Sequence, residues 1–277
     1  MKKIILIAAL ISASLSAQES TTSSTFDLWN GLKKSPLGFS IVNEFATQSA
    51  SNNTGINGFY NELTPYLSYK LTGKDSLRFN TSVIISDNYR AANELNADVA
   101  WGGATLRYKR SKILTEDKNW LNMSAEIRFN LDADFNNDES NKIGSTSFRT
   151  NLTRTIMAGL ELNTELRYDE YLRKSSSAKL KRRKLAATIN PSYVFAKDWY
   201  VLPSLAFKYE IQGETANKAY KKNKVTFAPE IGYQVMKDLA VAVYWEATPF
   251  KSHDGELFAK NWGKNAMLAA YLDYKFF

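Results

Sequence analysis

Residues 199–211 read WYVLPSLAFKYEI, and an apolar or aromatic side chain stands at every odd position. The even positions turn polar along the stretch and end in Lys208 and Glu210. Because successive side chains of a β-strand point to opposite faces, this alternation predicts a strand with one apolar and one polar face. Residues 121–131 and 160–168 alternate in the same way.

Alternation fits both a soluble β-sandwich, whose apolar faces meet in a core, and an outer-membrane barrel, whose apolar faces meet lipid. The connections separate these two fold classes. Short ones fall at 72–75, 157–158, 196–198 and 236–238, with a longer one at 111–119. Long polar ones fall at 49–58, 87–95, 132–144, 173–183, 212–223 and 249–263. Short turns at one end and long loops at the other are typical of outer-membrane barrels.

The sequence therefore predicts an all-β protein, a transmembrane antiparallel up-and-down β-barrel of about twelve strands, with short periplasmic turns and long extracellular loops. The predicted strands are 37–48, 59–71, 76–86, 96–109, 120–131, 146–156, 159–172, 184–195, 199–211, 224–235, 239–248 and 264–277. Gly102-Gly103 is predicted as a bulge that switches the faces of Val99 and Trp101 relative to Leu106. Barrels of ten or fourteen strands are the alternatives.

The first residues predict export. Lys2 and Lys3 precede the apolar residues 4–15, and cleavage after Ser16 or Ala17 makes 1–17 a secretory signal peptide. Residues 18–36 are predicted as a periplasmic lead-in, either disordered or holding one short helix through Phe26, Trp29 and Leu32. The barrel then occupies 37–277, and the predicted location is the outer membrane of a Gram-negative bacterium.

Composition removes most catalytic chemistry from consideration. The chain has no cysteine and one histidine, His253, which excludes thiol chemistry, disulfides and zinc sites that need cysteine. Within Ser252-His253-Asp254 three adjacent side chains point in different directions and cannot form a relay. We therefore predict no enzyme activity, no metal and no cofactor; a lipid-modifying barrel enzyme and a closed structural or adhesive barrel are the alternatives.

The polar face of the strands is predicted to line the lumen and to set selectivity. It carries charges of both signs, with Arg128, Arg149 and Arg167 on successive strands as the leading solute-facing candidates. The full candidate set is Arg78, Arg107, Arg128, Arg149, Arg167, Lys208, Glu126, Glu165, Glu210 and Glu230. A salt-bridged filling of the lumen is the alternative to a water-filled passage, which we favour because twelve strands enclose more room than eight.

Residues 166–174, LRYDEYLRK, together with arginine-bearing strands and long basic loops, resemble the twelve-stranded oligogalacturonate-specific porins and their sialic-acid-channel relatives. The resemblance implies passive diffusion of small acidic sugars. The carboxylates of the lumen face differ from the arginine-dominated lumen of that family. We therefore expect a porin for small hydrophilic solutes, with anionic solutes as one class.

Two further segments predict partners. Lys179, Lys181, Arg182 and Arg183 lie in a predicted extracellular loop that would bind lipopolysaccharide phosphates or attract anionic solutes. The terminal Phe276-Phe277 resembles the signal read by the barrel insertion machinery, displaced by one residue because Phe277 shares its face with Lys275. The remaining predicted contacts are with outer-membrane lipid, and none is predicted with nucleic acid. The sequence does not determine the oligomeric state.

Overall fold

A computed structural model describes residues 35–48, 59–87, 97–132, 142–173, 181–212, 221–251 and 266–277. Twelve antiparallel strands form one closed barrel in these ranges. The strands are β1 Leu37–Gln48, β2 Phe59–Lys70, β3 Asp75–Asp87, β4 Ala97–Leu114, β5 Asn122–Leu131, β6 Lys142–Met157, β7 Leu160–Arg173, β8 Lys181–Ala196, β9 Trp199–Gln212, β10 Lys221–Met236, β11 Leu239–Lys251 and β12 Met267–Lys275. The predicted fold class and the count of twelve are confirmed.

Each strand pairs with its neighbours in sequence, and β1 pairs with β12 to close the ring. The closure is reinforced at the chain terminus, where the Phe39 amide donates to the Phe277 carbonyl at 3.1 Å and the Phe276 amide donates to the Phe39 carbonyl at 2.9 Å. The Phe39 and Phe276 rings also lie 5.2 Å apart. Because the ring is closed, no strand has an unpaired edge that could pair with another chain and cause aggregation.

The predicted bulge at Gly102-Gly103 is present in β4. Thr81 pairs with Ala104 and Val83 with Trp101, so β4 carries one extra residue, and Gly103 has φ +99°. That positive φ favours glycine because it has no Cβ to clash. Without the bulge Val99 and Trp101 would face inward, because the side-chain period of a strand is two.

The apolar face of the barrel points outward. Phe129, Phe148, Leu166 and Phe207 are each about half exposed, at 55%, 49%, 47% and 46%. The buried hydrophobic residues in the described ranges are all alanines, and the largest fully buried side chains there are Asp169 and Ser147. The barrel interior is therefore polar and its outer face apolar, which is the arrangement typical of membrane-spanning barrels.

Among the described residues, no helix is both long and apolar enough to cross a membrane.

The short connections lie at one end of the barrel, which we call the short-turn end. The connection predicted at 111–119 is shorter than expected, because β4 continues to Leu114 and a one-turn helix, α1, follows at Glu116–Asn119. Trp120 follows α1 and is 66% exposed, with the Arg154 guanidinium 3.5 Å from the centre of its ring. An exposed Trp under a cation at a barrel rim is typical of the aromatic girdle at a membrane interface.

Some sequence predictions need correction or lie outside the described residues. Lys181, Arg182 and Arg183, predicted in a loop, lie in β8, because strand pairing with β9 extends to Lys181. Lys179, His253, the signal peptide 1–17 and nearly all of the lead-in 18–36 lie outside the described ranges, as do the central parts of the long connections.

A hollow of about 1000 Å³ opens on the outer face of the wall formed by β4 to β10. Phe148, Leu166, Leu185 and Phe207 surround it, and the small side chains of Ala125 and Ala187 line its floor with others. The same wall carries four of the five predicted arginines, those of β4 to β7, on its other face.

Candidate functional site in the barrel lumen

Five arginines lie on the inward face of consecutive strands β3 to β7. Arg78 is directly opposite Arg107, Arg107 is opposite Arg128, and Arg149 is opposite Arg167. Like charges directly opposite each other destabilise a sheet unless other groups compensate. Counter-charges are therefore required close to the row.

Glu126 supplies the largest compensation. The residue is only 4% exposed, and its carboxylate lies on β5 between three arginines. Arg107 Nη1 is 3.4 Å from Glu126 Oε2, Arg149 Nε is 3.7 Å from Glu126 Oε1, and Arg128 donates to the same Oε1. The arginine side chains keep between 12% and 24% of their surface exposed. The carboxylate is thus buried in the wall while the guanidinium groups reach the lumen.

Asp169 repeats the arrangement on β7 and is fully buried. Arg167 Nε donates to Asp169 Oδ1 at 2.6 Å, the Ser147 hydroxyl donates to the same oxygen at 2.6 Å, and Lys184 Nζ lies 3.0 Å from Oδ2. Two hydrogen-bond donors and one ammonium group around this buried carboxylate offset the cost of its desolvation.

Two other inward-facing acids, one on β9 and one on β7, also lie beside a cation. Glu210 on β9 is 2% exposed and lies 3.6 Å from Lys224 of β10. Glu165 on β7 is more exposed and accepts from Arg149 at 3.3 Å. Lys208 is also on the inward face of β9, directly opposite Lys224.

The strands on the other side of the ring carry carboxylates and tyrosines. Glu230 of β10 accepts hydrogen bonds from the hydroxyls of Tyr271 at 2.6 Å and Tyr200 at 3.0 Å. Glu44 of β1 is directly opposite Glu62 of β2 and is hydrogen-bonded to Tyr244. The neutral hydroxyls orient these acids without cancelling their charge.

The structure thus places all ten predicted lumen residues on the inward face and brings the five arginines, Glu126 and Glu165 into one cluster. Lys208 and Glu210 belong to the same wall, whereas Glu230 lies apart among tyrosines. The sequence prediction missed Lys224 and the tyrosine partners Tyr200 and Tyr271. Their alternation marks them as inward-facing, but nothing in the sequence distinguishes them from other polar positions.

Comparison with solved structures finds this barrel in proteins of very low sequence identity. An outer-membrane channel from Pseudomonas putida F1 aligns with a TM-score of 0.56 at 10% identity, over 87% of this chain and 96% of the channel. The NanC porin aligns with a TM-score of 0.51 at 8% identity, over 85% and 98% of the two chains. The KdgM porin covers the same shares at 11% identity, with a TM-score of 0.47.

The first two alignments confirm, at the level of the fold, the predicted resemblance to outer-membrane porins. No protein-family model matches the sequence, and no curated protein matches it.

Proposed function

We propose that the protein is an outer-membrane channel through which small hydrophilic solutes diffuse passively. One observation carries the proposal: the interior of a closed twelve-stranded barrel is lined by charged and polar side chains, and its buried hydrophobic residues, within the described ranges, are all alanines. Eight strands already give an interior that side chains can fill, so twelve leave room for water.

The same proposal assigns the location and the remaining predicted features. Residues 1–17 act as the export signal, and the short-turn end faces the periplasm, as in other outer-membrane barrels. The basic residues around Arg182 and Arg183 lie at the opposite end, where lipopolysaccharide phosphates or anionic solutes meet the protein. Arg183 is paired with Glu170 at 3.0 Å, so the charge it offers to an anion is reduced.

A passive channel needs no cofactor and no catalytic group, and the proposal assigns none. The inward ion pairs hold the strands at a fixed register and set the charge that a solute meets. The terminal Phe276 and Phe277 contact Phe39 at the β1–β12 seam, which supports a role for this segment in closing the barrel during insertion.

Osmotic swelling of vesicles tests the proposal. Vesicles that contain the refolded protein should swell in neutral sugars, and the swelling rate should fall steeply as the sugar grows from a monosaccharide to a trisaccharide. Protein-free vesicles give the background rate. Swelling at the background rate for every sugar, from protein shown to be folded by its resistance to unfolding in detergent, would reject diffusion through the lumen.

A further inference from the structure

Cations predominate on the inward face of one half of the barrel and carboxylates on the inward face of the other half, so the charges of the lumen are partly separated by sign. We propose that this separation makes the channel selective for dipolar solutes, molecules that carry a cationic and an anionic group at once, over neutral solutes of equal size. The inference rests on the proposed function, because it concerns how that same lumen chooses among small solutes.

The basic wall is formed by the inward-facing cations of β3 to β9. It comprises Arg78, Arg107, Lys109, Arg128, Arg149, Arg167, Lys184 and Lys208. The acidic wall is formed by the inward-facing carboxylates of β10, β11, β12, β1 and β2. It comprises Glu44, Glu62, Glu230, Glu246 and Asp273.

The closed strand order sets these walls face to face. β5 and β11 are six strands apart in the ring of twelve, so they lie on opposite sides of the lumen. Arg128 of β5 and Arg167 of β7 lie near the middle of their strands, as do Glu44 of β1 and Glu230 of β10. The two sets of charges therefore overlap in height along the barrel.

The carboxylates of the basic wall reduce its positive charge without removing it. Glu126, Asp169 and Glu210 are 4%, 0% and 2% exposed and contact neighbouring cations, as does Glu165, whose side chain is 20% exposed. Glu161 is a further inward acid of β7, near the short-turn end. The eight cations of the wall outnumber these five acids. On the acidic wall the tyrosine hydroxyls that contact Glu230 and Glu44 are neutral, so the negative charge remains.

Among the residues whose side chains the structure describes, the other inward cations of the acidic strands lie toward strand ends. Lys70 and Lys275 are at the short-turn end, and Lys224 lies near the start of β10, beside Glu210. Arg78 marks one border between the walls, where its guanidinium lies 4.0 Å from the centre of the Tyr66 ring and interacts electrostatically with Asp273.

Such a lumen has an electric field directed across it, from the basic wall to the acidic wall. A solute with two separated full charges lowers its energy strongly by aligning with the field, whereas an isomer that carries only bond dipoles gains much less. The basic wall attracts monovalent anions and the acidic wall attracts monovalent cations. The wild-type channel is therefore expected to discriminate weakly between anions and cations.

The test compares two isomers, zwitterionic β-alanine and neutral lactamide, in the vesicle-swelling assay. The wild type should favour β-alanine by about fivefold, the factor that a single ion contact of roughly 1 kcal/mol in water-like surroundings gives. Two double variants each weaken one wall: Arg78→Gln with Lys208→Gln, and Glu44→Gln with Glu62→Gln. Each should bring the permeability ratio of the isomers toward one. Lys74→Gln, an exposed turn position, is the matched control and should leave the ratio unchanged.

Reversal potentials in a salt gradient provide the second readout. The first double variant should shift the ion selectivity of the channel toward cations, and the second should shift it toward anions. The two reversal potentials should therefore move in opposite directions from the wild-type value. Equal permeability of the isomers in the wild type, or shifts of the same sign in both variants, would overturn the inference while leaving the channel intact. A folded wild type that passes neither isomer nor ions would instead reject the proposed function.

Discussion

Replacing Glu126 by Gln is expected to lower the free energy of unfolding by about 3 kcal/mol, the low end of the range for breaking a buried ion pair. The carboxylate is almost fully buried and contacts Arg107, Arg128 and Arg149. Without its charge, three guanidinium groups repel each other across neighbouring strands. Because water in the lumen reaches part of each arginine and screens this repulsion, we expect a loss at the low end of the range for a buried ion pair.

Urea unfolding of the refolded barrel in phospholipid vesicles measures this loss. Glu165→Gln is the matched control, since Glu165 is also an inward glutamate that contacts Arg149, but its side chain is 20% exposed. We expect the control to lose about 1 kcal/mol or less, as partly exposed ion pairs do. Equal losses for the two variants would show that burial of the Glu126 carboxylate does not stabilise the wall.

Replacing Leu166 by Arg is expected to destabilise the barrel by about 3 kcal/mol, because an arginine on the lipid face near the bilayer centre costs roughly 2–4 kcal/mol. Leu166 lies near the middle of β7, is 47% exposed on the outer face, and borders the outer hollow. The measurement is again urea unfolding in vesicles.

The matched control places the same charge on the other face of the wall. Thr188 of β8 is directly opposite Glu165 on the inward face, so Thr188→Arg sets the new cation beside a carboxylate. Its stability should stay within about 1 kcal/mol of the wild type. If Thr188→Arg were the more destabilising variant, the assignment of inward and outward faces would be reversed.

Much of the fold is predictable because lipid and lumen impose a strict two-residue period on every strand. The prediction of a bulge at Gly102-Gly103 also held, since a break in that period is itself visible in the sequence. The extension of β4 to Leu114 and of β8 to Lys181 was not predicted. Both segments contain basic residues, and pairing with a neighbouring strand, which composition does not report, decides their conformation.

The lumen was predictable only in part. Alternation separates inward from outward positions, and it places Arg128 and Glu230 on the same face without separating them. Which strands face each other depends on how many strands close the ring and in what order. The opposition of the two walls, and the burial of Asp169 between Arg167, Lys184 and Ser147, are therefore properties of the closed barrel.

Single-channel recording of the refolded protein in a planar bilayer tests the central claim most directly, with preparations that lack the protein as a control for contaminating porins. A water-filled lumen predicts stable, stepwise conductance at low voltage. Protein that inserts in its folded state and shows no conductance over a wide range of voltages would contradict an open lumen, and the salt-bridged, closed barrel would then describe the molecule.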